Sequence, residues 1–156
     1  MPDPHNERLE AELGRVLVAQ LAPAELPLFG AMSRAFFADP KRARPTSSGG
    51  DEILAFGVAE AAGLLTPAVL TAACEVALYL TKEVGKAFAK VGVDSVVEQV
   101  KRLFRREPTA VRLDGAQLAQ IRQMAFDTAR QFKLSNAKAS LLADALVGHF
   151  ALGTSA

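Results

Sequence analysis

Apolar residues recur at intervals of three and four positions along most of the chain, and no stretch alternates apolar and polar residues for the length of a strand. This spacing is clear near the N-terminus, where it predicts an amphipathic helix from about Asn6 to Gln20. The apolar stripe of this helix is formed by Leu9, Leu13, Val16 and Leu17. Arg8, Glu12 and Arg15 lie off the stripe and are predicted to face water.

Proline residues and small residues predict where the next helices begin and end. Leu26-Pro27 starts a second helix, because proline is tolerated in the first helical turn, and Asp39-Pro40 ends it. The apolar side of this helix carries Phe29, Met32, Phe36 and Phe37. The following residues, about 40–51, are first basic and then small and polar, which predicts an exposed loop. Asp51 can cap a third helix that runs to about Leu64.

The longest predicted helix begins at Thr66-Pro67, which supply a cap and a first turn, and it continues to a break near Gly92 and Asp94. One face of this helix is apolar and consists of Val69, Ala73, Val76, Leu80, Val84, Ala87 and Val91. Another face carries the charged residues Glu75, Lys82, Lys86 and Lys90.

Three further helices are predicted in the C-terminal part of the chain. The first contains Val93, Val96, Val97, Val100, Leu103 and Phe104, and we expect it to end at Pro108 after an arginine-rich last turn. Asp114 and Gln117 resemble a capping box at the start of the next helix. Its core side carries Leu118, Ile121, Ala125 and Phe132. Ser135 caps the last helix, which contains Leu142, Ala145, Leu146 and Phe150. Residues 153–156 are expected to fray.

The sequence therefore predicts an all-α fold, a single domain over residues 1–156 that forms a bundle of six or seven helices. The 156 residues and the 50% apolar content suffice for one hydrophobic core. The net charge of +1 gives no overall attraction to nucleic acid or to anionic lipid. The single cysteine and the polar N-terminus favour a cytoplasmic location, and the excess of Arg over Lys together with abundant alanine is typical of bacterial proteins.

Few residues offer catalytic or metal-binding chemistry. His5 and His149, the only histidines, lie far apart in sequence, and neither has a carboxylate or cysteine at ligand spacing. Cys74 lies in an apolar segment, where we interpret it as a small core residue rather than a nucleophile. Glycines occur singly inside helices or as the Gly49-Gly50 pair, so no phosphate-binding loop is indicated. We therefore expect no enzymatic activity, no metal and no cofactor.

Basic residues form two clusters that together make the candidate interaction patch. The first consists of Lys82, Lys86 and Lys90, and the second of Lys101, Arg102, Arg105 and Arg106. Solvated helix faces explain both clusters, since repulsion between like charges at this spacing costs only about 0.2–0.5 kcal/mol per pair. If the clusters have a functional role, we expect them to bind an acidic protein partner or anionic lipid headgroups. We do not expect nucleic-acid binding, because no aromatic residues interleave these positions.

The segment Ala129-Arg-Gln-Phe-Lys-Leu-Ser135 and the helix after it resemble a DNA-binding helix-turn-helix over about twenty residues. Ala129, Leu134 and Ser135 stand at positions where that motif favours these residue types. Lys133 replaces the turn glycine of the motif, and Lys138 stands where an apolar residue belongs. These departures favour an ordinary helical hairpin.

The middle of the chain is unusually poor in charge. From Ile53 to Thr81 the only charged residues are Glu60 and Glu75, so the segment is long enough to span a bilayer. Thr66-Pro67 interrupts it, and a glutamate in mid-membrane costs about 2.5 kcal/mol or more. A central apolar hairpin within Ile53 to Val91, covered by amphipathic helices, is the favoured interpretation. This plan looks like that of soluble pore-forming helical bundles, without sharing a motif with them.

Two functional hypotheses follow, the first mainly by elimination and the second from the apolar stretch in the middle of the chain. The first is a non-enzymatic helical module for protein–protein interaction or regulation, which docks a partner or associates with itself. The second is conditional membrane insertion by the apolar hairpin Ile53 to Leu80.

Overall fold

The computed structural model describes residues 4–39, 65–87, 93–108 and 110–152. Within these ranges the chain forms six α-helices and one short 3-10 turn and contains no strand, which confirms the predicted all-α fold. The elements are α1 (Pro4–Leu21), the 3-10 turn Pro23–Glu25, α2 (Leu26–Ala38), α3 (Thr66–Ala87), α4 (Val93–Phe104), α5 (Gly115–Gln131) and α6 (Asn136–Leu152). The predicted loop at 40–51, the predicted helix from Asp51 to Leu64 and the C-terminal tail at 153–156 lie outside the described residues.

Helix α1 agrees with its predicted limits, but its buried face is rotated from the predicted stripe. Leu9, Leu13 and Leu17 are buried as expected, whereas Val16 is 50% exposed and Val18 is fully buried. The prediction for Val16 was wrong because the buried face of the helix is centred further round than the predicted stripe. Val16 lies at one edge of this face, and Val18 lies within it on the opposite side. Val16 therefore contributes apolar surface outside the core.

Helix α3 is the central element of the bundle. It packs against α1, α2, α4 and α5, and every residue from Leu65 to Ala73 is buried. Its later turns are buried on one side only, and Leu78 is 73% exposed. Helix α1 approaches α3 closely at Gly14, where a Cβ atom would lie 3.0 Å from Cδ2 of Leu70. The start of α3 at Thr66 and its burial agree with the sequence prediction, while the first arm of the predicted hairpin lies outside the described part of the chain.

Helix α4 ends earlier than the sequence pattern predicts. It stops at Phe104, and Arg106 adopts a left-handed backbone conformation with φ of 57°. The backbone N–H groups of Arg106 and Glu107 donate to the carbonyls of Leu103 and Arg102, respectively, which is the hydrogen-bond pattern of a Schellman cap. Pro108 was expected to end this helix, but the cap closes it four residues earlier.

Helices α5 and α6 form a hairpin with extensive mutual contact. Asp114 and Gln117 form the predicted capping box, and the Ser135 hydroxyl accepts from the backbone N–H of Lys138, as expected for an N-cap. Lys133 occupies the left-handed position of a second Schellman cap, with φ of 64°.

An ion pair between these two helices identifies their arrangement. Arg122 Nε lies 3.1 Å from Asp144 Oδ1, although each residue is roughly two and a half turns from the connection. Helices that diverge after the turn, as in a helix-turn-helix, would separate these side chains. The antiparallel hairpin interpretation of this segment therefore holds.

Candidate functional site

A pocket that carries predicted site residues lies where the end of α4 meets α1 and α6. Its volume is about 300 Å³. The floor is apolar and consists of Leu9, Leu13, Val16 and Phe104, and the polar lining consists of Glu12, Arg105, Arg106 and His149. Two members of the predicted interaction patch, Arg105 and Arg106, thus lie beside an apolar cavity.

Contacts between α4 and α6 fix the position of this pocket. The ring of Phe104 packs edge-to-face on the ring of Phe150, with 5.5 Å between centroids. Nε2 of His149 lies 2.7 Å from the backbone carbonyl oxygen of Phe104. The Schellman cap then turns the chain immediately after Phe104, so that Arg105 and Arg106 are exposed at the pocket on a hydrogen-bonded backbone.

The surroundings of His149 favour its neutral form. Burial lowers its pKa below the ordinary value, the hydrogen bond to Phe104 raises it to a smaller extent, and the charge of Arg106 lowers it further. Because a carbonyl can only accept, Nε2 carries the proton and donates to Phe104, and Nδ1 is left as an acceptor. His149 lies near the C-terminal end of α6, where its side chain is half-buried and bound to α4.

Among the described residues, the acidic group of the pocket has an ion-pair partner, whereas the two arginines have none. Glu12 lies 3.6 Å from the guanidinium of Arg8, one turn away on α1. In the described part of the chain, neither Arg105 nor Arg106 has a carboxylate within ion-pair distance. The pocket therefore presents two exposed guanidinium groups without an intramolecular counterion among these residues.

The other predicted basic residues lie in different surroundings. On α4, Arg102 pairs with Glu98, one turn away, at 3.7 Å, and Lys101 is half-buried. On α3, Lys82 and Lys86 are exposed, and Lys86 pairs with Glu83 at 3.0 Å. The side chain of Lys90 lies outside the described residues. The two clusters therefore lie next to different helices. The α3 cluster is linked to α5, because Glu83, the partner of Lys86, also binds Gln117, whereas the pocket arginines adjoin α1 and α6.

A buried carboxylate that the sequence analysis missed anchors the central helix. Glu25, in the 3-10 turn, accepts hydrogen bonds from the backbone N–H groups of Leu65 and Thr66, both at 2.9 Å, and from the Thr66 hydroxyl at 2.7 Å. It therefore caps α3 from a position 40 residues earlier in the chain. No local sequence signal marks such a cap, because both partners are defined only by the fold.

Two other carboxylates connect α3 to its neighbours. The Cys74 thiol donates to Glu10 of α1, with 3.0 Å between Sγ and Oε2, so Cys74 is a half-buried polar contact rather than the buried hydrophobic residue we expected. Burial raises the pKa of Glu10, although the bond from Cys74 partly offsets this effect and the charge of Glu7 adds to it. Glu75 accepts a hydrogen bond from Thr128 of α5 at 3.0 Å.

Other features of the described residues offer less specific chemistry. A wider pocket of about 550 Å³ lies between α1 and α2, and its lining mixes Glu7 with Arg8 and Arg34. Among the described residues, no three His, Cys, Asp or Glu side chains are grouped so that they could hold a metal ion. None of the helices in this part of the chain is both long and apolar enough to cross a membrane.

Comparison with known proteins gives no independent guide to this site. The chain matches no protein-family model, and no significant similarity is found to curated proteins or to solved structures. The pocket at the end of α4 is therefore interpreted from its own geometry.

Proposed function

We propose that this protein is a non-enzymatic helical interaction module that docks an acidic segment of a partner protein at Arg105 and Arg106. The observation that carries the proposal is the presence of these two exposed guanidinium groups, unpaired among the described residues, beside an apolar pocket. Guanidinium groups bind carboxylates through paired N–H donors, which gives both attraction and orientation.

The backbone conformation of Arg106 supports a role beyond solubility. A residue with a side chain costs about 1 kcal/mol or more in the left-handed region, where glycine is the usual C-terminal cap. Arg106 nevertheless occupies this position with φ of 57°. Residues in such sparsely populated backbone regions cluster at functional sites. Lys133 adopts the same conformation at the end of α5 but does not line the pocket, and it therefore provides a matched control.

The test uses a short peptide of alternating glutamate and serine, titrated into the full-length ¹⁵N-labelled protein. We expect amide shifts around residues 103–107 that weaken with added salt, since screening reduces exposed charge interactions. Arg106→Gly should reduce the affinity several-fold while raising the free energy of unfolding by about 1 kcal/mol. Lys133→Gly should give the same stabilisation without a change in affinity.

Three outcomes would contradict this proposal. The first is an absence of binding at low salt, and the second is a set of shifts centred on Lys82 and Lys86 instead of the pocket. Equal effects of Arg106→Gly and Lys133→Gly on peptide affinity would also show that the Arg106 side chain has no docking role.

We propose conditional membrane insertion of the segment Ile53 to Leu80 as a second candidate function, because its described part, the start of α3, is apolar, is buried on all sides and is capped by the carboxylate of Glu25. Insertion requires release of this anchor, so Glu25→Gln should increase dye leakage from anionic liposomes at neutral and at mildly acidic pH. Glu98→Gln, which changes an exposed glutamate of α4, is the control. Equal leakage by both variants and the unmodified protein would rule this candidate out.

A further inference from the structure

We propose that the pocket at the end of α4 accepts one aliphatic or aromatic side chain of an acidic partner segment, while Arg105 and Arg106 bind the carboxylates that flank this side chain. The inference rests on the proposed docking function and specifies the chemistry of the partner. It derives from the combination of an apolar floor and a cationic edge in one small cavity.

The floor of the pocket supplies the apolar half of this recognition. Val16 is 50% exposed although it belongs to a helix whose other aliphatic residues at 9, 13 and 17 are buried, and its exposed surface faces the cavity that it lines. The volume of about 300 Å³ stands at the lower end of the range of roughly 300–1,000 Å³ typical of ligand pockets. The space suits a single anchoring side chain rather than a large cofactor.

The charges select a carboxylate-bearing peptide over a polyanion. Arg105 and Arg106 attract negative groups, but Glu12 lies in the same lining and repels a continuous row of phosphates. Nucleic acids and anionic membranes need many cationic contacts, whereas this chain carries a net charge of only +1. An acidic segment with one apolar anchor places its carboxylates beside the arginines and avoids Glu12.

The decisive experiment compares two peptides that differ at one position. One carries leucine between flanking glutamates, and the other carries alanine in its place. Binding to the full-length protein is measured by calorimetry at fixed salt. We expect the leucine peptide to bind about tenfold or more tightly, since full burial of a leucine side chain contributes more than the transfer free energy of alanine.

A pair of protein variants locates this advantage in the pocket. Val16→Asp places a carboxylate on the floor and should remove the preference for leucine. Leu141→Asp changes an aliphatic residue of similar exposure on α6, outside the pocket lining, and should leave the preference intact. Circular dichroism checks that both variants retain their helix content, and the comparison of peptides on the unmodified protein does not depend on either variant.

His149 provides a second readout at the same place. Bound carboxylates next to the imidazole favour its charged form, so the titration midpoint of His149, followed by NMR, should rise when the leucine peptide is bound. The charged groups that line the pocket together with this ring are Glu12 from α1 and Arg105 and Arg106 after α4, and the charge of Arg106 acts on His149. A midpoint unaffected by a saturating amount of peptide would overturn the inference.

The outcomes separate this inference from the proposed function. Equal affinity for the leucine and alanine peptides, both bound at Arg105 and Arg106, would overturn the side-chain pocket and leave acidic docking in place. Failure of every acidic peptide to bind would overturn both. Sedimentation that shows a dimer dissociated by Val16→Asp would identify a second copy of this chain as the occupant, and would also overturn the inference.

Discussion

The Glu25 cap of α3 allows a quantitative test of how the central helix is held. Replacement of Glu25 by glutamine keeps the size of the side chain but removes its charge and one acceptor oxygen. The remaining carbonyl can still accept from the N–H and the hydroxyl of Thr66, as Oε1 does now. The new amide group would then face the backbone N–H of Leu65, which at present donates to Oε2. Two donors would oppose each other in a buried site.

The expected cost follows from these contacts. One hydrogen bond to a charged acceptor contributes about 1.5–3 kcal/mol, and the interaction of an anion with a helix N-terminus adds about 0.3–1 kcal/mol. Glu25 is only 9% exposed, so solvent screening reduces these values little. We therefore expect Glu25→Gln to lower the free energy of unfolding by roughly 2–4 kcal/mol, a large fraction of the 5–15 kcal/mol typical of a domain.

Urea denaturation followed by circular dichroism at neutral pH measures this effect. With a slope of about 2 kcal/mol per molar urea, the midpoint should fall by roughly 1–2 M. Glu98→Gln is the matched control, because Glu98 is exposed and lies 3.7 Å from Arg102, and its change should stay within about 0.5 kcal/mol. If Glu25→Gln shifts the midpoint no more than this control does, the proposed anchor contributes nothing to stability and the reasoning is wrong.

Three further predictions concern buried ionisable groups and glycines. The pKa of Glu10 is raised above 4.5 on folding, so the native state disfavours the ionised carboxylate and stability is lost as pH rises through the folded pKa. Glu10→Gln should therefore stabilise the protein near neutral pH but not below pH 4.5, as measured by urea titrations under both conditions. Because the pKa of His149 is lowered from 6.5 on folding, the contribution of this residue to stability is present above pH 6.5 and is lost as pH falls through the folded pKa. Thermal unfolding measured across this pH window should show the loss of stability, and His149→Gln should make that loss smaller. Gly85→Ala should raise the free energy of unfolding by about 0.5–1 kcal/mol, since nothing lies within 4 Å of the added carbon. Gly14→Ala should lower the free energy of unfolding by about 1 kcal/mol, because the added carbon would contact Leu70. A stabilising effect of Gly14→Ala in thermal melts would contradict the close packing of α1 on α3.

Helix caps and helix starts that depend on residues within one helical turn were predicted correctly from the sequence. The capping box of Asp114 and Gln117, the Ser135 cap and the start of α3 at Thr66 all agree with prediction, because each depends on residues no more than a few positions apart. The early end of α4 was missed for an equally local reason. The sequence shows no glycine at the position of Arg106, and glycine is the usual sign of a left-handed cap.

Features that join distant segments could not be predicted in this way. Glu25 reads as an ordinary acidic residue between two prolines, and only the packing of the 3-10 turn on α3 makes it a cap. Arg105 and Arg106 were identified as part of a basic patch, but the apolar floor beside them comes from α1 and the histidine from α6. Charge is visible along the chain, whereas a cavity is defined only by the elements that enclose it.

The construction of this pocket couples partner binding to the stability of the bundle. Its floor comes from α1, its arginines follow α4, and His149 ties α6 to the last carbonyl of α4, so unfolding separates all the parts of the site. A partner that binds only the assembled pocket must therefore stabilise the fold, by about 2.7 kcal/mol when its concentration is a hundredfold above Kd. The same coupling acts through the proton on His149, because carboxylates in the pocket favour the charged ring that burial disfavours. Acid should thus weaken the free bundle at this position and strengthen the attraction of the pocket for an acidic segment, two effects of opposite sign that arise from one side chain.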